Sequence, residues 1–286
     1  MNKLFKIRNT EYINSPSEYS SESTYPDFQE KLDFFKENLI SNLNNKIPTS
    51  MSRFGDGDYY FLNQIPKGSA KPGKRALSKP YSDIDMEPFK QGYLKNDFNF
   101  CLVTSQHQNQ FNEMFTRPMD FPSEIIYGLV ANRWIFRNVN HKIGIIGAKP
   151  KVKIIKKLMQ HDRYKDYLEK EAFNDYLYID QNFACDNLSK TKKNLFKQVE
   201  KSESELFLVG VGHVKSGLLH ELKKVKPAVY LDIGVGVDAL AGLVNIYRPY
   251  FGKWKNHKIS NNKLLYRKVD VLINNYGTLG RVTELP

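Results

Sequence analysis

Between residues 142 and 233, apolar runs of strand length alternate with amphipathic helical stretches. This alternation restricts the fold more than any other feature of the chain. Residues 142–148 read as a buried strand, 151–160 as a helix, 176–179 as a short strand and 187–200 as an amphipathic helix. A strand over 205–211, a helix over 214–224 and a strand over 228–233 complete the series. Strands that return to a sheet through helices pair in parallel, because a hairpin cannot connect them. The expected fold is therefore α/β and Rossmann-like: a mostly parallel sheet with helices on both faces.

The first half of the chain carries weaker signals. Residues 1–24 are rich in Ser, Glu, Tyr and Asn without a sustained period, and read as an extended arm or a poorly ordered lead-in. Phe28, Leu32, Phe35, Leu39 and Leu43 then recur at spacings of three and four, which predicts one apolar helical stripe. Asn44, Asn45 and Pro48 end it. A helix over 87–95 and a buried strand over 98–104 follow, whereas 123–138 shows no clear pattern. The organisation expected is an N-terminal arm and helix over 1–45, an α/β domain over 46–250 and a basic extension over 251–286. The extension is expected to pack on the same domain and to include a last strand over 266–274.

Three stretches carry candidate chemistry. The first is Arg53-Phe54-Gly55-Asp56-Gly57-Asp58, which places two carboxylates two residues apart beside an arginine. The glycines favour a sharp turn, and Asp56 or Asp58 can cap a helix over 59–62. Such a turn can hold a hard divalent cation and the phosphates it carries, or it is an ordinary Asp-Gly turn with a surface arginine. The second is Gly210-Val211-Gly212-His213 at the end of a strand. At the carboxyl edge of a parallel sheet, glycines let a phosphate approach the backbone; the alternative is a tight turn and no more. The third is Asp232-Ile233-Gly234-Val235-Gly236-Val237-Asp238. It is similar to the first motif of S-adenosylmethionine-dependent methyltransferases. That motif ordinarily opens its domain, and only about fifty residues follow it here. Residues 66–80 add a basic Pro/Gly-rich loop that could close over phosphates or merely connect.

Charge narrows the partner without naming it. The net charge of +12 points to an anionic ligand. Much of the excess reads as solvated helix faces, such as Lys151, Lys153, Lys156 and Lys157, or Lys190, Lys192, Lys193 and Lys197. No arginine-rich run or nucleic-acid module is present, so nucleic acid is not an expected partner. Two cysteines, Cys101 and Cys185, make neither a zinc framework nor a disulfide scaffold, and both are expected as buried thiols. No apolar run is long enough to span a bilayer, and the start of the chain lacks a signal-peptide core. A cytoplasmic protein with at most peripheral membrane contact is the expectation.

The motifs together resemble those of the GT-D fold glycosyltransferases. Residues 53–58 look like that family's Arg-Phe-Gly-Asp-Gly-Glu signature. Gly210 to His213 and Asp232 to Asp238 stand, in the same order, where the family carries a Gly-X-Gly-Pro turn and Asp-Ile-Gly-His-Ile-Asp. Arg133 stands against a middle Thr-Arg-Pro segment. The resemblance spans about residues 45 to 245. It departs where Asp58 replaces glutamate, His213 replaces proline and Val235 replaces histidine, with one residue inserted before Asp238.

This resemblance implies a metal-dependent glycosyltransferase. It would move a sugar from a nucleotide-sugar donor, a UDP-sugar first, to a glycan or glycoconjugate acceptor. Asp56 and Asp58 would hold Mn²⁺ or Mg²⁺. Arg53, Gly55, Arg133, Gly210, Gly212, His213 and Gly234 would line the donor site, and Asp238, with Asp232 behind it, would serve as the base. A methyltransferase and a non-catalytic anion-binding module are the alternatives.

Overall fold

The computed structural model describes residues 4–7, 11–14, 28–73, 77–101, 105–131, 133–168, 171–180 and 183–243. The expected strand over 266–274 lies outside them. The N-terminal arm contains an antiparallel pair, β1 (Leu4–Ile7) and β2 (Glu11–Asn14), in place of an unpaired lead-in. Next come α1 (Phe28–Asn44), β3 (Thr49–Phe54), α2 (Asp56–Leu62), α3 (Glu87–Lys95), β4 (Phe98–Cys101), α4 (Ser105–Phe115) and β5 (Phe121–Pro122). The unclear stretch resolves into two helices, α5 (Ser123–Ala131) and α6 (Trp134–Asn138), broken where Arg133 takes a left-handed conformation, φ 62°. Then follow β6 (Ile143–Ala148), α7 (Lys149–Leu158), α8 (Asp162–Leu168), β7 (Asp175–Ile179), α9 (Leu188–Glu200), β8 (Leu206–Gly210), α10 (Leu219–Val225), β9 (Val229–Asp232) and α11 (Gly236–Leu240). A 3-10 segment, Gly212–Gly217, occupies the start of the helix expected over 214–224.

Seven strands form one sheet in the order β5-β4-β3-β9-β8-β6-β7, and every pair is parallel. The α/β, Rossmann-like expectation is met. Along β8, Leu206 and Leu208 enter one apolar cluster while Phe207 and Val209 enter another, as the two-residue period of a strand requires. The first cluster takes in α1, α5, α7 and α11, and the second takes in α2, α3, α4, α9 and α10. Helices therefore cover both faces, and the strands between them read as continuous apolar runs. Among the described residues no helix is long and apolar enough to cross a membrane. Cys101 and Cys185 are free, buried thiols.

The strand order places the chemistry. The chain lays β3, β4 and β5 outward to one edge, crosses to β6 and β7, then returns inward through β8 and β9. The last strand closes beside the first. The carboxyl ends of β3, β9 and β8, all glycine-flanked, thus become neighbours across a sequence span of 179 residues. This is where an open α/β sheet presents its crevice.

Docking of α3 against the 3-10 segment depends on Gly92. A Cβ there would stand 1.4 Å from the Ser216 carbonyl oxygen, which is backbone and cannot rotate away. Gly55, by contrast, has nothing within 4 Å of its Cβ position and an extended φ of −146°. Gly92→Ala should cost about 3 kcal/mol by overpacking and lower the melting temperature by roughly 6–12 °C. Gly55→Ala should stay within about 0.5 kcal/mol. Thermal melts followed by circular dichroism compare the two.

Candidate functional site

The site is built around the carboxylate of Asp58. β3 ends at Phe54, Gly55 caps the helix, and α2 starts at Asp56. The stretch is therefore a helix start, with no sharp turn, and neither Gly55 nor Gly57 has a positive φ. A Cβ at Gly57 would lie 3.1 Å from His213 Cε1, so a larger residue there would press on the imidazole ring. Asp56 and Asp58 are the first and third residues of the helix. About 100° of rotation per residue turns their side chains roughly 200° apart. Asp56 is exposed and accepts from the Gly57 N–H at 2.8 Å, while Asp58 is buried.

Both Asp58 oxygens are committed. Oδ1 faces His213 Nδ1 at 3.1 Å. Oδ2 accepts from the Lys215 ammonium at 2.9 Å and from the Gly55 N–H at 3.1 Å. Burial alone would raise this carboxyl's pKa. The Lys215 charge and the His213 contact outweigh it and hold the group well below the ordinary carboxylate range. The His213 ring stacks on Phe61, with centroids 4.9 Å apart and planes 5° from parallel. Its Nε2 lies 3.1 Å from Ser69 Oγ, on the loop that follows α2.

Lys215 joins this carboxylate to a second one. Its ammonium lies 3.3 Å from Asp232 Oδ2 at the end of β9. Asp232, fully buried, also accepts from the Arg53 N–H at 3.0 Å and the Gly234 N–H at 2.9 Å. Burial pulls the Lys215 pKa down, but Asp232 and Asp58 more than restore it, so it stands above the ordinary lysine value. The Arg53 guanidinium crosses Gly234, where a Cβ would stand 2.0 Å from Nη1. Gly234, at φ 50°, and Gly212, at φ 69°, also hold backbone conformations that favour glycine. Tyr93 Oη donates to the Arg53 carbonyl at 3.1 Å, tying α3 to the same strand end.

Not every expected residue joins this group. Gly210 faces protein: a Cβ would meet Val237 Cγ2 at 2.5 Å and the Gly234 carbonyl at 2.6 Å. Asp238 is buried in an ion pair with Lys151 at 3.0 Å, between α11 and α7 on the opposite face from α2. Lys151 is accordingly a core ion-pair residue and not part of a solvated face. Arg133 stands at the α5–α6 junction on that same opposite face. The sequence reading passed over Lys215, Ser69 and Tyr93. Only Lys215 had a signal, its place two residues after His213 on a glycine-rich turn.

The donor set does not fit a two-carboxylate cation site. Asp56 and Asp58 point apart, and a lysine ammonium occupies the position a cation would take on Asp58. Among the described residues, no group of three or more His, Cys, Asp or Glu side chains could hold a metal ion. Comparison of the chain with protein-family models, curated proteins and solved structures finds no match.

Removal of the buried ammonium gives a direct check. Lys215→Met leaves Asp58 and Asp232 facing each other without their shared cation, and should cost about 3–5 kcal/mol near neutral pH. Asp58 has its folded-state pKa lowered. Its contribution is complete above the unfolded carboxylate value, about 3.9, and is lost as pH falls through and below it. Urea unfolding between pH 6 and pH 3 should show wild-type stability falling more steeply on the acid side than that of Lys215→Met.

Proposed function

We propose that the protein is a glycosyltransferase that moves a sugar from a nucleoside diphosphate donor, a UDP-sugar first, to a hydroxyl of a glycan or glycoconjugate. The observation that supports this reading is the gathering of Arg53, Lys215 and His213 at the carboxyl ends of β3, β9 and β8. The chemistry needs positive charge fixed where the diphosphate leaves, because negative charge develops there as the glycosidic bond breaks. The Arg53 guanidinium beside Gly234 would supply such charge, whereas the Lys215 ammonium is balanced by Asp58 and Asp232 and serves to hold this edge together. The Arg53 guanidinium lies beside Gly234, and Gly212 takes a left-handed conformation just after β8, both of which support phosphate contact at this edge.

Asp58 and Asp232 act here as anchors for Lys215, His213 and the strand ends. Asp56 stays exposed at the start of α2. The loop bearing Lys67, Ser69 and Lys71 reaches His213 through Ser69, so it borders the same edge. That placement suits a basic flap over an anionic donor.

Ligand-induced stabilisation tests the reading. A nucleoside diphosphate at a hundredfold excess over its Kd should add about 2.7 kcal/mol and raise the melting temperature by roughly 5–10 °C. UDP, GDP and CDP are compared with S-adenosylhomocysteine, each with Mn²⁺ and with EDTA. Arg53→Ala should lose most of the nucleotide shift. A shift with S-adenosylhomocysteine and none with any nucleotide would replace glycosyl transfer by methyl transfer.

A further inference from the structure

We propose that Ser69, His213 and Asp58 form a nucleophilic triad that cleaves short acyl esters. His213 also borders the proposed donor site, but ester cleavage by the triad requires no nucleotide. The geometry is that of an activated serine: nucleophile to base 3.1 Å, base to orienting carboxylate 3.1 Å. The proton positions follow from chemistry. Asp58 is held ionised and can only accept, so Nδ1 of His213 carries the hydrogen. In the neutral ring, Nε2 then holds the lone pair, and the Ser69 hydroxyl donates to it.

Each member is held in place for its part. The imidazole is clamped between Asp58 and the Phe61 ring, in space that Gly57 leaves open. Asp58 uses Oδ1 for the imidazole, while Lys215 and the Gly55 N–H fix Oδ2. Ser69, unlike its two partners, is exposed. It follows Gly68, whose φ is 58° and whose Cβ position has no atom within 4 Å, so the nucleophile sits beside open space. Its neighbours from residue 63 to 68 are exposed and mostly polar or small, which suits a short acyl group better than a long chain.

The reaction balances with water as the only co-reactant. Ser69 Oγ attacks the ester carbonyl carbon as its proton passes to His213 Nε2. The bond to the alcohol oxygen breaks, and that oxygen takes the proton from Nε2. Water, deprotonated by the same nitrogen, then attacks the acyl-serine. The acid departs and Ser69 recovers its proton.

A fluorophosphonate probe and 4-nitrophenyl acetate test the triad in the full-length chain. Wild-type protein should be phosphonylated at Ser69, located by peptide mapping, with loss of fluoride. It should also release nitrophenolate with a burst of about one equivalent. Ser69→Ala should abolish both, and His213→Gln should slow labelling about a hundredfold or more. The proposal is overturned if folded wild-type protein is not labelled at Ser69, if Ser69→Ala keeps the esterase rate, or if His213→Gln is labelled as fast as wild type. Should His213→Gln fail to fold, the Ser69→Ala comparison decides alone, because Ser69 is exposed and its loss empties no core. Labelling of Ser69 is read by peptide mass and the donor reading by the nucleotide-induced melting shift of the wild-type protein, so failure of the triad and failure of the donor reading are told apart.

Discussion

One buried ammonium organises the carboxyl edge of this protein's sheet. Lys215 lies between Asp58 and Asp232, at 2.9 Å and 3.3 Å, with no more than a tenth of any of the three side chains exposed. Two carboxylates this close and this deeply buried could not both stay ionised without a cation between them. Asp58 belongs to the start of α2, and Asp232 to the end of β9. The ammonium comes from the 3-10 segment after β8. The ion triplet therefore ties together three parts of the chain that meet only because the last strand is inserted beside the first. Gly92 serves the same arrangement from the side, by letting α3 approach the segment that carries Lys215.

The consequences for chemistry follow from what each charge has left to offer. Asp58 spends one oxygen on Lys215 and the Gly55 N–H and the other on His213. It is thus an orienting group, and the imidazole it orients has its second nitrogen on the hydroxyl of an exposed serine. Asp232 spends its oxygens on two backbone N–H groups and the ammonium, which suits a structural anchor. The Lys215 ammonium is balanced by these two carboxylates, and the Arg53 guanidinium beside Gly234 is a further positive charge at the carboxyl edge. In a site of low dielectric, such preorganised charge acts more strongly than in water.

Much of the architecture was legible because apolar periodicity is a local property. The strands β6 to β9 and the helices α7, α9 and α10 could be placed from runs and stripes alone, whereas α8 was not expected. The glycine-flanked strand ends also marked the sheet edge where Asp58, His213, Lys215 and Asp232 meet. Less was legible where the signal depends on phase. Asp56 and Asp58 read as a pair by spacing, yet a helix that begins at Asp56 turns them to opposite sides. Asp238 lies next to a glycine-rich turn in sequence, but α11 carries it to the other face, where Lys151 neutralises it. Lys151 itself looked like one more surface lysine in a basic stripe. A buried ion pair leaves no mark on composition, since its two members come from elements far apart in the chain. Ser69 was hidden for the same reason: its role arises only from a contact made 144 residues away.

The most direct test of the account is a double-mutant cycle across Asp58 and Lys215. Asp58→Asn, Lys215→Met and the double variant are unfolded in urea at neutral pH and compared with wild type. If the two side chains form the central buried pair, their effects are strongly non-additive, with a coupling of about 1.5–3 kcal/mol. The double variant should then be far more stable than the sum of the single losses implies. Additivity within about 0.5 kcal/mol would contradict the account, because it would mean that the ammonium and the carboxylate do not share one buried site.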